Sequence, residues 1–136
     1  MYIEIADIEK HIEADIVTAL SFDEDDSNIV VAIAQAISQL RSYLKATYQI
    51  DAELENTEED RDPLLRMLAL DLVVYHIFST VDASHIPPVR VERYNAAIAF
   101  LKDAQNGDSI LNIPAVVDDT LFEIKGGSNT KRTNQY

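Results

Sequence analysis

Apolar residues recur at three- and four-residue steps in three stretches of the chain, a spacing that places them on one face of a helix. The first stretch predicts a helix over residues 5–20, the second a helix from Ser27 or Asn28 to about Tyr48, and the third a helix over residues 89–105. Gly107 follows the third, and glycine readily adopts the left-handed conformation that closes a helix. The predicted buried stripes are Ile5, Ile8, Ile12, Ile16 and Leu20, then Ile29, Ile33, Ile37, Leu40 and Leu44, then Val91, Tyr94, Ile98 and Leu101.

A further stretch, residues 64–78, is apolar nearly all the way round. Asp62-Pro63 precedes it, and a capping acid followed by proline in the first turn is typical of a helix start. A helix without a wide polar face is buried on several sides, so we expect this one at the centre of the fold. Arg66, Asp71 and His76 interrupt it, and we expect it to be too short and too interrupted to cross a membrane.

The remaining stretches lack helical spacing. Residues 49–62 are rich in acids and predict a loop, because they offer little apolar surface to bury. Residues 108–124 are apolar without a helical period, which indicates an extended or short-strand segment packed on its own body or on a neighbouring subunit. Residues 126–136 are polar and typical of a flexible tail. The predicted fold is all-α, a small bundle of about four helices over residues 1–107, with an extended or short-β C-terminal arm and flexible tail over residues 108–136.

Composition narrows the function classes. The 136 residues carry a formal net charge of −13, which argues against gripping nucleic acid through its phosphates. The chain has no cysteine, which excludes disulfides, thiolate zinc sites and a cysteine nucleophile. The start of the sequence has no positively charged leader or apolar signal core, so we expect a protein of the cytoplasm. Acids cluster in residues 1–28 and 53–62, and this clustering leaves open an acidic protein-binding module such as a DNA-mimic inhibitor.

Few residues suggest chemistry. The acidic loop over residues 23–28 places oxygen ligands at alternate positions, but Asn28 and Ala34 stand where a calcium loop needs glycine and an acid, so a solvated turn is the better interpretation. We expect His11 to lie on a solvated face and His76 to be a hydrogen-bonded interior histidine. The sequence contains no phosphate-binding glycine loop, nucleophile elbow or metal motif. We therefore expect a non-enzymatic protein with no catalytic residue, metal or cofactor.

Asp71 is the most informative polar residue, because a lone carboxylate among Leu70, Leu72 and Val73 is costly to bury. Arg90 and Arg93, at the start of the last predicted helix, are the available cations. A single acid without a paired acid, metal or nucleophile is weak evidence for catalysis. We therefore predict a structural ion pair between Asp71 and Arg90 or Arg93.

The order of these elements resembles the Mu-like phage head–tail connector, or head-completion, proteins, which are also common in prophages. The resemblance covers about residues 1–107, and an acidic insertion after Gln49-Ile50-Asp51-Ala52 replaces the proline-containing turn that is usual in the family. The residues that carry it are Met1-Tyr2-Ile3, the acids Asp23 to Asp26, Ser42-Tyr43-Leu44 with Tyr48, the apolar run from Met67 to Tyr75, and Val91-Glu92-Arg93-Tyr94-Asn95-Ala96-Ala97 leading into Phe100-Leu101-Lys102-Asp103.

The resemblance implies a structural adaptor subunit that self-associates in a ring under the portal protein and docks a tail or stopper protein. DNA would pass through such a ring without being specifically bound, and no membrane would be involved. The protein would occupy the host cytoplasm during assembly and afterwards the virion. Candidate interface residues lie in the arm and tail: Phe122, Lys131, Arg132 and Tyr136.

Overall fold

The computed structural model describes residues 1–11, 27–108 and 110–116, apart from the side chains of residues 81 and 82. These residues form five α-helices: α1 (Ile5–His11), α2 (Ser27–Leu44), the short α3 (Ile50–Glu53), α4 (Pro63–Asp82) and α5 (Pro88–Asn106). The part of the chain that the structure describes contains no strand, only an isolated antiparallel bridge between Tyr48 and Ala115. The predicted all-α bundle is confirmed.

Helix α4 lies at the centre, as its all-round apolar pattern predicts. It packs against α1, α2 and α5, and its residues 68–74 are all buried. The Asp62 carboxylate accepts the Leu65 backbone N–H at 2.9 Å and caps the helix start. The prediction that this helix is too short and too interrupted to cross a membrane was wrong, because Pro63–Thr80 is long and apolar enough for a membrane span. Half of this stretch is nevertheless buried inside the bundle, as is usual for a core helix.

The helix α5 follows the predicted bounds closely. It begins with Pro88 in the first turn and ends before Gly107, whose φ of 85° is the left-handed conformation expected at a helix end. Its residues Ala97, Leu101 and Ala104 are buried against the bundle. The small alanine side chains at this face allow close approach of the neighbouring helices.

The acidic stretch over residues 49–62 is not a simple loop, and that prediction was wrong. It contains α3 and a 3₁₀ turn at Glu58–Asp60, and Ile50, Glu53 and Arg61 are buried. The prediction failed because it counted only apolar surface. Here charged side chains are buried by hydrogen-bonding to one another and to the backbone, which removes most of the desolvation penalty.

Residues 110–116 form an extended segment that packs on the bundle. Leu111 and Ile113 are buried, the Gln49 N–H donates to the Pro114 carbonyl at 2.9 Å, and the Val116 N–H donates to the Thr47 carbonyl at 2.9 Å. This agrees with the predicted extended conformation. The division of the chain at residue 107 stays a prediction, and the second half of the first predicted helix, the acidic loop over residues 23–26 and the tail lie outside the described residues.

Candidate functional site

The N-terminal segment is fastened to the bundle by the buried guanidinium of Arg61. This group donates from Nη1 to Asp7 Oδ2 at 2.7 Å and from Nη2 to Asp7 Oδ1 at 3.0 Å. It also donates to the carbonyls of Tyr2 at 2.7 Å and Glu58 at 2.9 Å. Burial is the largest influence and would raise the pKa of Asp7, but the hydrogen bonds from Arg61 and the Glu4 backbone N–H, together with the charges of Arg61 and Arg66, lower that pKa overall. The carboxylate raises the pKa of Arg61 in turn, so both groups are charged at neutral pH.

Glu53 is the second polar anchor of the same segment. Its carboxylate accepts the Tyr2 hydroxyl at 2.8 Å, the Asp62 backbone N–H at 2.8 Å and the Asn56 side-chain amide at 3.1 Å. Burial and then the hydrogen bond to Glu53 raise the pKa of Tyr2 well above its ordinary value. Glu53 therefore ties together the N-terminus, α3 and the start of α4. We name the connected residues Tyr2, Asp7, Glu53 and Arg61 the N-terminal brace.

A second polar cluster surrounds Asp71 on α4, whose carboxylate is only 6% exposed. Arg93 donates from Nε to Oδ1 at 2.7 Å and from Nη2 to Oδ2 at 3.3 Å, and His11 Nε2 lies 3.1 Å from Oδ1. The structure thus brings Arg93 to Asp71 but not Arg90, whose side chain makes no ion pair or hydrogen bond to any described residue. Arg93 and His11, rather than Arg90, contact the Asp71 carboxylate oxygens.

The prediction of a solvated His11 was wrong. Its side chain is 16% exposed, and it contacts Asp71 instead of water. The polar face of α1, which carries Asp7 and His11, turns inward onto Arg61 and Asp71. The inference from the apolar stripe alone could not detect this, because the burial of that face depends on partners distant in sequence.

His76 is a hydrogen-bonded interior residue, as predicted. Its Nε2 lies 2.9 Å from Gln39 Oε1 on α2, and the Gln39 amide donates to the Tyr94 hydroxyl on α5 at 2.9 Å. Burial lowers the pKa of His76. Tyr94 also stacks on Tyr75, with ring centroids 3.9 Å apart. This network joins the three long helices through His76, Gln39 and Tyr94.

One hollow formed by the described residues is lined mainly by ionisable side chains. It has a volume of about 270 Å³, lies beside α1, and is lined by Asp7, Lys10, His11, Glu59, Arg66 and Leu70. Asp7 and His11 are already bound to Arg61 and Asp71. In residues 1–11, 27–108 and 110–116, no group of three or more histidines and acids could hold a metal ion. The polar groups of this region fasten α1 to the bundle.

Two other hollows are mainly apolar. One, of about 360 Å³, lies between the N-terminus and α2. The other, of about 310 Å³, lies between α4 and α5, and Asp71 and Arg93 also line it. We name the second the α4–α5 groove; its apolar walls are Leu64, Met67, Leu68, Ala96, Ala97 and Phe100. Such a surface is suited to an apolar segment of another chain.

The structure leaves the predicted interface residues untested. Phe122, Lys131, Arg132 and Tyr136 all lie outside the described residues. The sequence did not indicate that Tyr2, Glu53 and Arg61 are buried and bound to one another or to Asp7. One signal was present, since Arg61 is the only cation in the acidic stretch over residues 49–62 and stands next to the capping Asp62.

The described residues define a class of protein: a small all-α bundle whose buried polar groups brace the fold and whose larger surface hollows are apolar. Comparison with known proteins is more specific. Residues 2–121 match the family described as Bacteriophage Mu, Gp36, and the chain belongs to this family of Mu-like phage proteins. No curated protein and no solved structure matches the chain.

Proposed function

We propose that the chain is a structural subunit of the head–tail connector of a tailed phage or prophage. It forms a ring under the portal protein, docks a tail or stopper protein, and lets DNA pass without binding it specifically. The observation that carries this proposal is the family match over residues 2–121, which spans nearly the whole chain. The protein is made in the host cytoplasm and ends in the virion.

The architecture supports a role in assembly. Subunits of a ring need a stiff body and surfaces that fit a neighbour. The N-terminal brace and the Asp71 cluster fix α1 to α4 and α5 through buried ion pairs. The α4–α5 groove supplies apolar surface that the described part of the bundle does not cover.

The net charge supports passage of DNA without binding. At −13, the chain repels phosphate over the distance of about one Debye length, ~8 Å at physiological salt. A channel wall of this charge gives a translocating duplex few places to bind. A non-enzymatic role is also consistent with the polar clusters, because Arg61, Glu53 and Asp71 all contact partners within the bundle.

An acidic DNA-mimic inhibitor has less support. Such a protein presents its carboxylates to a basic groove on another protein, so they must face outward. Of the acids in the two clusters, Asp7 and Glu53 face inward and bind Arg61 and Tyr2, whereas Glu58, Glu59 and Asp60 are exposed. A salt-sensitive complex with a DNA-handling enzyme, recovered in a pull-down with the purified chain, would favour this alternative.

The connector role is tested by deleting the coding sequence from an inducible prophage that encodes the chain. Electron microscopy of the lysate is expected to show DNA-filled heads and separate tails, with joined particles restored by the chain supplied from a plasmid. Restoration controls for effects on neighbouring genes. Normal numbers of joined particles in the deletion lysate would overturn the proposal.

A further inference from the structure

We propose that the α4–α5 groove receives residues 121–123 of a second copy of this chain, with Leu121 and Phe122 in the groove and Glu123 beside Arg90 and Arg93. This inference rests on the proposed function, because a ring requires each copy to contact the next. It assigns the two surfaces that meet.

The groove is apolar but open. Met67 is 42% exposed and Leu64 is 36% exposed, although both lie on the central helix of the bundle. Phe100 and the two alanines of α5 form the opposite wall. Water against such a wall is released when an apolar side chain enters, which stabilises the contact by about 25 cal/mol per Å² of apolar surface covered. The groove therefore favours an occupant with large apolar side chains.

The groove also carries charge. Arg93, one of its lining residues, is 40% exposed and pairs with Asp71, whose carboxylate also contacts His11. The Arg90 guanidinium has no ion-pair or hydrogen-bond partner among the described residues, and burial together with the charge of Arg93 lowers its pKa. Arg93 pairs with Asp71 and the Arg90 side chain has no such partner in the described part of the chain, which leaves room for a second carboxylate. The fitting occupant carries an acid immediately beside its apolar side chains.

The sequence after Val116 has this composition. It reads Val117-Asp118-Asp119-Thr120-Leu121-Phe122-Glu123-Ile124, so two large apolar residues stand directly before a carboxylate. Val116 is tied to Thr47 at the end of the bundle. The six residues from there to Phe122 span about 20 Å when extended, enough to reach a copy in contact with the first.

A second copy is the occupant that a ring requires. A head-to-tail interface joins two different patches of the same chain, and repetition of that contact closes the ring. The groove and the segment at 121–123 are two such patches, complementary in both apolar surface and charge. Insertion into the same copy's groove would use both patches within one subunit and leave neither for its neighbour.

The absence of cysteine from the chain allows a direct test by crosslinking. A tagged Met67→Cys variant and an untagged Phe122→Cys variant are mixed at about 1 mM and treated with a short bismaleimide. Gel and intact-mass analysis are expected to show a covalent heterodimer of the two variants. The control replaces the first with Val31→Cys, which is 51% exposed on α2 and should give at least fivefold less heterodimer.

The charge contact has its own readout. Adding Glu123→Arg to the Phe122→Cys chain should slow heterodimer formation about two- to fivefold, as expected for a partly exposed ion pair. Adding Arg90→Glu to the Met67→Cys chain should restore the rate. This swap separates a specific contact from non-specific apolar association, because each double variant has the same apolar side chains as the single-cysteine variant with which it is compared.

Two outcomes would overturn the inference. One is a heterodimer yield no higher than that of the Val31→Cys control. The other is a Met67→Cys, Phe122→Cys double variant that yields only internally crosslinked monomer, since this would place the segment in its own groove. Neither result depends on the portal or tail, so the connector role is judged separately by the deletion experiment.

Discussion

Two Arg–Asp pairs in this bundle have nearly the same separation and very different surroundings. Arg61 and Asp7 lie 2.7 Å apart with side chains 7% and 11% exposed, whereas Arg41 and Asp51 lie 2.8 Å apart with side chains 42% and 58% exposed. Replacing each arginine by methionine removes the charge and donors but keeps a long apolar stem. The comparison isolates what burial adds to an ion pair.

The structure gives the expected magnitudes. In Arg61→Met the Asp7 carboxylate and the Tyr2 carbonyl lose buried donors, and removal of one partner from a buried pair costs about 3–5 kcal/mol. The pair lost in Arg41→Met is exposed to water on both sides, and an exposed ion pair contributes at most about 1 kcal/mol to the free energy of unfolding. Because a domain of this size is stable by about 5–15 kcal/mol, both variants should fold.

Urea unfolding followed by circular dichroism at the helical band measures both changes in the free energy of unfolding. Equal slopes against urea concentration for all three proteins would show that the same surface is exposed on unfolding. A loss below about 1 kcal/mol in Arg61→Met, or equal losses in both variants, would refute the reasoning. Either result would mean that the N-terminal brace is hydrated and does not fasten α1 to the bundle.

Three further predictions concern single interactions and can be measured by the same unfolding assay. The folded-state pKa of Asp7 lies below its ordinary value of 3.8. The ionised carboxylate therefore stabilises the fold above that pH, and this stabilisation is lost as the pH falls through the folded-state pKa. Asp7→Asn should accordingly show a shallower loss of stability between pH 5 and pH 2.5 than the unaltered chain. Tyr48→Phe should cost about 1–2 kcal/mol because it leaves the buried Leu111 N–H without the hydroxyl that accepts it at 3.2 Å, and an unchanged stability would contradict that role. Asp62→Ala should cost about 1 kcal/mol through loss of the cap on α4, whereas Asp60→Ala, at an exposed position that caps no helix, should stay within about 0.5 kcal/mol.

The elements that sequence alone predicted correctly are those whose signal is local. Asp62-Pro63 marks the start of α4 because the cap and the proline act within one turn, and Gly107 marks the end of α5 for the same kind of reason. The continuous apolar composition of α4 indicates its central position, since such a helix has no face to leave in water. Asp71 was recognisable as a residue in need of a cation, although which arginine supplies it was left open.

The elements that sequence did not predict depend on long-range pairing. Arg61 is buried because Asp7 and the Tyr2 carbonyl meet it from more than 50 positions away. The same applies to Glu53 with Tyr2 and to His11 with Asp71. A charged residue at such a position has the same local pattern as a solvated one. Apolar periodicity therefore assigns these residues to the surface, and only the tertiary arrangement reverses the assignment.

The net charge of −13 sets a condition on any contact between copies of this chain. Two such subunits repel one another, and the repulsion reaches further at low salt, where the Debye length grows to about 30 Å at 0.01 M. The proposed contact brings Glu123 close to Arg90 and Arg93. At physiological salt the short-range attraction and the apolar contact then persist and the long-range repulsion is largely screened. In the proposed ring, the acidity that would repel DNA would thus also keep free subunits apart until a contact of this specificity, or a preformed portal surface, brings them together.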